Sequence, residues 1–108
     1  MEREHYRAVI DGKIYDTETA THICECGNDY GRSDFKFVDQ DLYRTPRGRF
    51  FLAGEGGPMS HWCRSVGDGY TGGCGIKQVC PGDARDYMES AGCGQADYER
   101  AGLELEDA

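Results

Sequence analysis

Apolar positions along this chain fall into short runs with two periods. In "HYRAVIDGKIYD" two β-prone runs flank Asp11-Gly12. That dipeptide closes two-residue hairpins, so two short strands are predicted. In "SDFKFVDQDLYRTPRGRFFLAGEGG", Phe35 and Phe37 alternate with charged neighbours. Leu42, Tyr43 and Thr45 then lead into Pro46-Arg47-Gly48, and Arg49 to Leu52 run back. Pro46 suits the first corner of a turn and Gly48 its left-handed position, which predicts an antiparallel meander. "IKQVC" is a further short strand. In "PGDARDYMESAG" the period lengthens: Ala84, Tyr87, Met88 and Ala91 recur at helical spacing, Pro81 takes the first turn, and Gly92 stops the helix.

The remaining stretches are less regular. In "TETATHICEC", Thr17 can cap a short helix whose apolar face holds Ala20, Ile23 and Cys24, although the β-branched threonines leave a strand open. Gly27 and Asn28 would end it. Ser60 is placed to cap another helix through His61, Trp62, Cys63 and Val66; "GDGYTGGCG" then forms a loop. "QADYERAGLEL" allows a last short helix before fraying acids. The expected fold is α+β: a small antiparallel meander packed against one main C-terminal helix, with one or two short helices. At 108 residues this is a single domain, with a core over 1–91 and an acidic extension over 92–108.

Composition narrows the setting. With 38% hydrophobic and 30% charged residues the chain is globular, and no apolar run has the length of a membrane span. The opening "MEREHYRAVIDGK" lacks the apolar core of a secretory signal, so a cytoplasmic location is expected. Thiols stay reduced there, which turns the six cysteines toward metal ligation or plain packing and away from a disulfide framework. The net charge is −8, concentrated C-terminally: from Pro81 onward eight acids stand against Arg85 and Arg100. Such a surface repels nucleic acid and favours basic partners.

Most site chemistries fail on residue type. "GEGGPMS" lacks the lysine of a phosphate loop, and Glu55 would repel a phosphate. Its glycines instead supply backbone angles and room for Trp62 packed beneath. No G-x-S-x-G elbow occurs, and no partner orients His61 or Cys63 for nucleophilic catalysis, so no enzyme is expected. The cysteines offer more. Cys24-x-Cys26 supplies two thiols of a tetrahedral zinc site. Cys74 and Cys80 flank a strand and lie roughly 20 Å apart, so they cannot share an ion. A helix returning along that strand would bring Cys93 beside Cys74. The metal hypothesis is therefore structural zinc on Cys24, Cys26, Cys74 and Cys93, with His22, His61 and Cys63 in reserve. Reduced cysteines packing as small apolar residues are the alternative. Arg44, Arg47 and Arg49 cluster at a hairpin tip, where arginines commonly solvate a turn.

The run "DLYRTPRGRFFLAGEGGPMS", followed by a Gly-Gly, an Ile-led strand and "ARDYMES", resembles a family of short proteins carried on bacterial phages, plasmids and integrated elements. The resemblance spans roughly residues 7 to 91 and is most specific from Leu42 to Ser60. It implies a setting rather than an activity. The cysteines at 24, 26, 74, 80 and 93 depart from the family pattern, which would make a metal site a local acquisition. Small acidic proteins of mobile elements include anti-CRISPR proteins, which look like binding modules for nucleic-acid-handling effectors. The functional expectation is thus an inhibitor of a host protein, a CRISPR effector in the first instance. It would act through Asp83, Asp86, Glu89, Asp97 and Glu99 on a basic groove, without binding nucleic acid directly. The alternative is a zinc-stabilised scaffold or regulatory domain.

Overall fold

The computed structural model describes residues 5–28, 30–31 and 33–107; the charged start at residues 1–4 lies outside them. Its elements run β1 (Arg7–Ile10), β2 (Lys13–Asp16), β3 (Thr21–Glu25), β4 (Val38–Arg44), β5 (Phe50–Gly56), β6 (Arg64–Val66), β7 (Gly69–Thr71), β8 (Gly73–Val79), α1 (Pro81–Ser90) and α2 (Gln95–Ala101). The α+β class and the antiparallel pairing are as the sequence predicts. The covering layer differs from a single main helix: two short helices, of ten and seven residues, share it.

A four-stranded sheet of order β3-β4-β5-β8 divides the molecule into layers. On one face Leu42, Phe50 and Leu52 meet Ile23, Trp62, Ala84, Met88, Tyr98 and Ala101. On the other, Tyr43, Phe51 and Ala53 meet Tyr15 from the β1–β2 hairpin. Tyr43 and Phe51 stack at 5.2 Å, and Tyr15 packs edge-on to Phe51. Because both faces are covered, β5 is buried almost without alternation, which explains its continuous apolar sequence. Phe50, Phe51 and Leu52 each contribute about 1.5–3 kcal/mol through burial. Tyr98 and Ala101 belong to the first cluster, so α2 is part of the core rather than an appended tail.

The turns follow their chemistry. Asp11 and Gly12 both take positive φ, as a primed hairpin turn requires. In the Pro46–Gly48 turn, Thr45 N donates to Arg49 O at 2.7 Å. Three local expectations are corrected. Thr21–Glu25 is a strand, because its β-branched residues find a partner in β4. The chain after Ser60 makes a turn and the small β6–β7 hairpin instead of a helix: Ser60 Oγ accepts from Trp62 N at 3.1 Å, but the turn is not continued. Asp34 to Phe37 is also turn, with Phe35 exposed, so β4 begins only at Val38.

The glycines after β5 serve close approach. A Cβ on Gly54 would lie 2.2 Å from Asp39 O and 2.5 Å from Gln40 Cα, both on the paired strand. No helix among the described residues is long and apolar enough to cross a membrane.

Candidate functional site

Two local irregularities set Cys24 and Cys93, with Cys26, against the helix-side core. The first is a bulge in β3: His22 faces Tyr43 and Cys24 faces Leu42, although these partners are adjacent on β4. Strict alternation would put His22 and Cys24 on one face; the extra residue turns Cys24 to the helix side. Cys26 follows with its N–H on Gln40 O at 3.0 Å. The second is the end of α1. Ala91 caps the helix and Gly92 takes φ 73°; Gly92 N donates to Glu89 O and Cys93 N to Met88 O. This is a Schellman motif, and it pins Cys93 beneath the helix end.

Cys24, Cys26 and Cys93 all pack on the helix-side core. Cys26 and Cys93 are the thiol neighbours of Cys24, but the three sulfurs do not all lie within 4.8 Å of one another. The hydrogen bond with Cys26, then burial, push Cys24 far above the usual thiol range. Burial and the contact with Cys24 push Cys93 up to about 12.

From Cys26 a polar chain continues across the sheet. Gln40, 4% exposed, donates from Nε2 to Cys26 O at 3.1 Å, with Cys26 Sγ at 3.9 Å. Gln40 Oε1 accepts from Trp62 Nε1 at 2.8 Å. Indole N–H only donates, which fixes the orientation of the amide. His61 Nε2, 2.6 Å from the same oxygen, therefore carries a proton and donates too. Burial, then the Lys77 cation, hold His61 below its ordinary range. Lys77 Nζ lies 5.4 Å over the Trp62 ring. Sequence reasoning missed Gln40, since a glutamine alternating with aspartates looks like a solvated position.

The fourth predicted thiol is elsewhere. Cys74 pairs with Glu55, and its neighbours in alternation place it on the hairpin face, exposed. It is also three strands from β3, about 14 Å at the usual spacing. The predicted Cys74–Cys93 pairing fails because α1 crosses over β5 and α2 ends against β3 instead of returning along β8. Three thiolates alone do not complete a tetrahedral zinc shell. Cys80 caps α1, its sulfur accepting from Asp83 N at 3.4 Å. Cys63 is half-buried in the turn before β6.

Another donor group stands at the β1–β2 hairpin. His5, Asp16 and Glu18 offer ligand atoms within 4.8 Å of one another. His5 Nε2 lies 2.6 Å from Asp16 Oδ1, which also accepts Glu18 N at 2.8 Å, and the Glu18 carboxylate lies 3.9 Å from His5 Nδ1. An open depression of about 370 Å³, lined by Tyr30, Phe35 and Met59 among others, shares no residue with the thiols.

The predicted acidic residues divide. Asp83, Asp86 and Glu89 are exposed on α1, opposite buried Ala84 and Met88; Glu99 is exposed on α2. Asp97 is committed within the chain. It accepts from Gly94 N at 2.9 Å and from Arg100 Nη2 at 2.6 Å, and these bonds, the Gly94 one first, lower its pKa. Arg100 in turn donates to Ile23 O and His22 O, fastening α2 to the edge of β3. Compared with protein-family models, curated proteins and solved structures, the chain gives no match.

Proposed function

We propose that this protein is a binding module that inhibits a host nucleic-acid-handling complex, a CRISPR effector in the first instance. The observation that supports it is the outer face of α1. Asp86 and Glu89 point away from the core with Asp83 on their flank, on a helix whose inner face is locked by Ala84 and Met88. A row of carboxylates on a rigid element suits a lysine- and arginine-rich groove that otherwise holds phosphates. Asp97 drops out of the contact set, since Arg100 and the α2 cap occupy it.

The test is recovery of the tagged protein from bacterial lysate containing CRISPR effectors, washed over a salt series. One effector recovered stoichiometrically and released by salt is expected. Recovery that survives the double change Asp86→Lys and Glu89→Lys would sink the reading. The packing of Cys24, Cys26 and Cys93 against one core cluster supports a second reading, a metal-stapled scaffold or regulatory domain. Zinc there needs a donor other than Cys74. Stoichiometric zinc in the purified protein, lost together with the fold on chelation, is its signature.

A further inference from the structure

The open end of the β1–β2 hairpin gathers an imidazole and two carboxylates through backbone register. The last pair of the ladder sets Arg7 against Asp16. Beyond it Thr17 N donates to Tyr6 O at 3.0 Å and Tyr6 N to Thr17 Oγ1 at 3.0 Å, so the two chains stay side by side for another step. Continuing that register sets His5 opposite Glu18, and the period of two puts both on the face that carries Asp16. The side chains follow the backbone. His5 Nε2 lies 2.6 Å from Asp16 Oδ1, His5 Nδ1 lies 3.9 Å from Glu18 Oε1, and one ligand atom from each residue falls within 4.8 Å of the other two. The two shorter distances have different meanings. At metal–ligand lengths of about 2.0–2.2 Å, two ligands of one tetrahedral ion stand roughly 3.4 Å apart and never more than about 4.4 Å. A gap of 3.9 Å therefore spans an ion. The 2.6 Å contact is a hydrogen bond, of the kind by which a carboxylate orients a ligating imidazole. Asp16 is itself held in place, since its Oδ1 also accepts Glu18 N at 2.8 Å.

We propose that His5 Nδ1 and the Glu18 carboxylate are ligands of a divalent first-row transition cation at the end of this hairpin, with Asp16 positioning the His5 ring through Nε2–H and water completing the coordination. Donor chemistry sets the class of ion. Imidazole favours a transition metal over magnesium or calcium, and a nitrogen–oxygen set without sulfur separates this ion from those that thiolates select. The local charge agrees: Asp16 and Glu18 outnumber Arg7, whose Nε is 3.9 Å from Asp16 Oδ2. The His5 and Glu18 side chains are 43% and 72% exposed, so an ion reaches them directly from solvent. Once bound, it ties the chain before β1 to the turn after β2. Neither the inhibitor reading nor the cysteines enter this inference.

The experiment titrates manganese(II), an ion that thiolates do not select, into the full-length isotope-labelled protein with a phosphine reductant, and reads the broadening of amide resonances. Substoichiometric ion is expected to broaden the amides of residues 5–7 and 16–18 first, and excess magnesium does not restore them. His5→Ala and Glu18→Gln each remove that broadening while the amide pattern elsewhere stays unchanged, which shows that the fold is intact. Asp16→Asn weakens binding about tenfold. In the metal-free parent, at a pH where His5 is neutral, the nitrogen shifts of its ring place the proton on Nε2 and leave Nδ1 open. Broadening that is absent, centred on α1 or on the β4–β5 carboxylates, or spread over all the acids would overturn the proposal. So would hairpin broadening that survives His5→Ala, since the carboxylates alone would then be attracting the ion, or a ring proton found on Nδ1.

Discussion

Gln40 is the residue whose replacement most sharply tests how the helix-side core is organised. Its amide holds three partners at once: Trp62 Nε1 at 2.8 Å, His61 Nε2 at 2.6 Å and Cys26 O at 3.1 Å. Gln40→Met keeps the length of the side chain and removes both polar ends. Trp62 is 5% exposed, so its N–H is left without an acceptor or a path to water. A stranded buried donor costs about 1–3 kcal/mol, and Cys26 O also loses a donor. His61 is exposed enough to turn toward solvent and adds little. The better burial of an apolar side chain offsets up to about 1 kcal/mol. A net loss of about 2–3 kcal/mol follows, or roughly 10–20 °C in thermal midpoint for a chain of this size. Trp62 is the only tryptophan, so urea denaturation followed by its fluorescence reads the variant at the site itself. Gln40→Glu separates the two ends of the amide: the carboxylate still accepts from Trp62 but faces Cys26 O with no proton to give. Loss of stability in both variants is expected. A Gln40→Met protein within about 0.5 kcal/mol of the parent would mean that Trp62 is held by packing alone.

The other predictions concern backbone approach and pH. Gly54→Ala places a methyl against Asp39 O and Gln40 Cα, backbone atoms that cannot turn aside, so a loss of about 3 kcal/mol is expected in a thermal melt. Gly12→Ala, with nothing within 4 Å and only a φ of 75° to oppose it, should cost about 1–2 kcal/mol. Stability should fall as pH drops below 6.5. Burial and Lys77 depress the folded pKa of His61, so the unfolded chain takes up the proton first; the stability present above 6.5 is lost as pH descends through the folded value. Denaturation midpoints at graded pH check this, and His61→Gln should flatten the dependence. An unchanged slope in that variant would assign the effect to other groups.

The fold was legible where local chemistry and burial agree. Asp11-Gly12 needs a primed turn and found one. Pro81 and Gly92 bound a helix whose apolar period matches its buried face. The continuous run Phe50 to Ala53 signalled a strand, and its lack of alternation reflects a second covering layer, the β1–β2 hairpin. The misplaced elements are those decided at a distance. Thr17 and Ser60 are competent helix caps, yet Thr21–Glu25 gains more from the ladder with β4 than an isolated turn offers. After Ser60 the chain is held instead by Trp62 reaching Gln40 across the sheet. Helix propensity carries no information about either partner.

The thiol site was half legible for the same reason. Cys24-x-Cys26 is visible as a pair, and a cysteine following Ala-Gly at a helix end occupies a defined position in a Schellman motif. What the spacing could not supply is the path of the helices. A helix returning along β8 would deliver Cys93 to Cys74, whereas one crossing the sheet delivers it to Cys24; the two differ by a rotation that no local residue encodes. The crossing is set by contacts far apart in sequence, above all Arg100 on the carbonyls of His22 and Ile23. The bulge between His22 and Cys24 is equally hidden, since it shows only against β4. Had β3 alternated regularly, Cys24 would share the face of His22 and leave the helix-side core. The site therefore rests on one inserted strand residue and one arginine, and both lie outside the cysteine pattern that first suggested it.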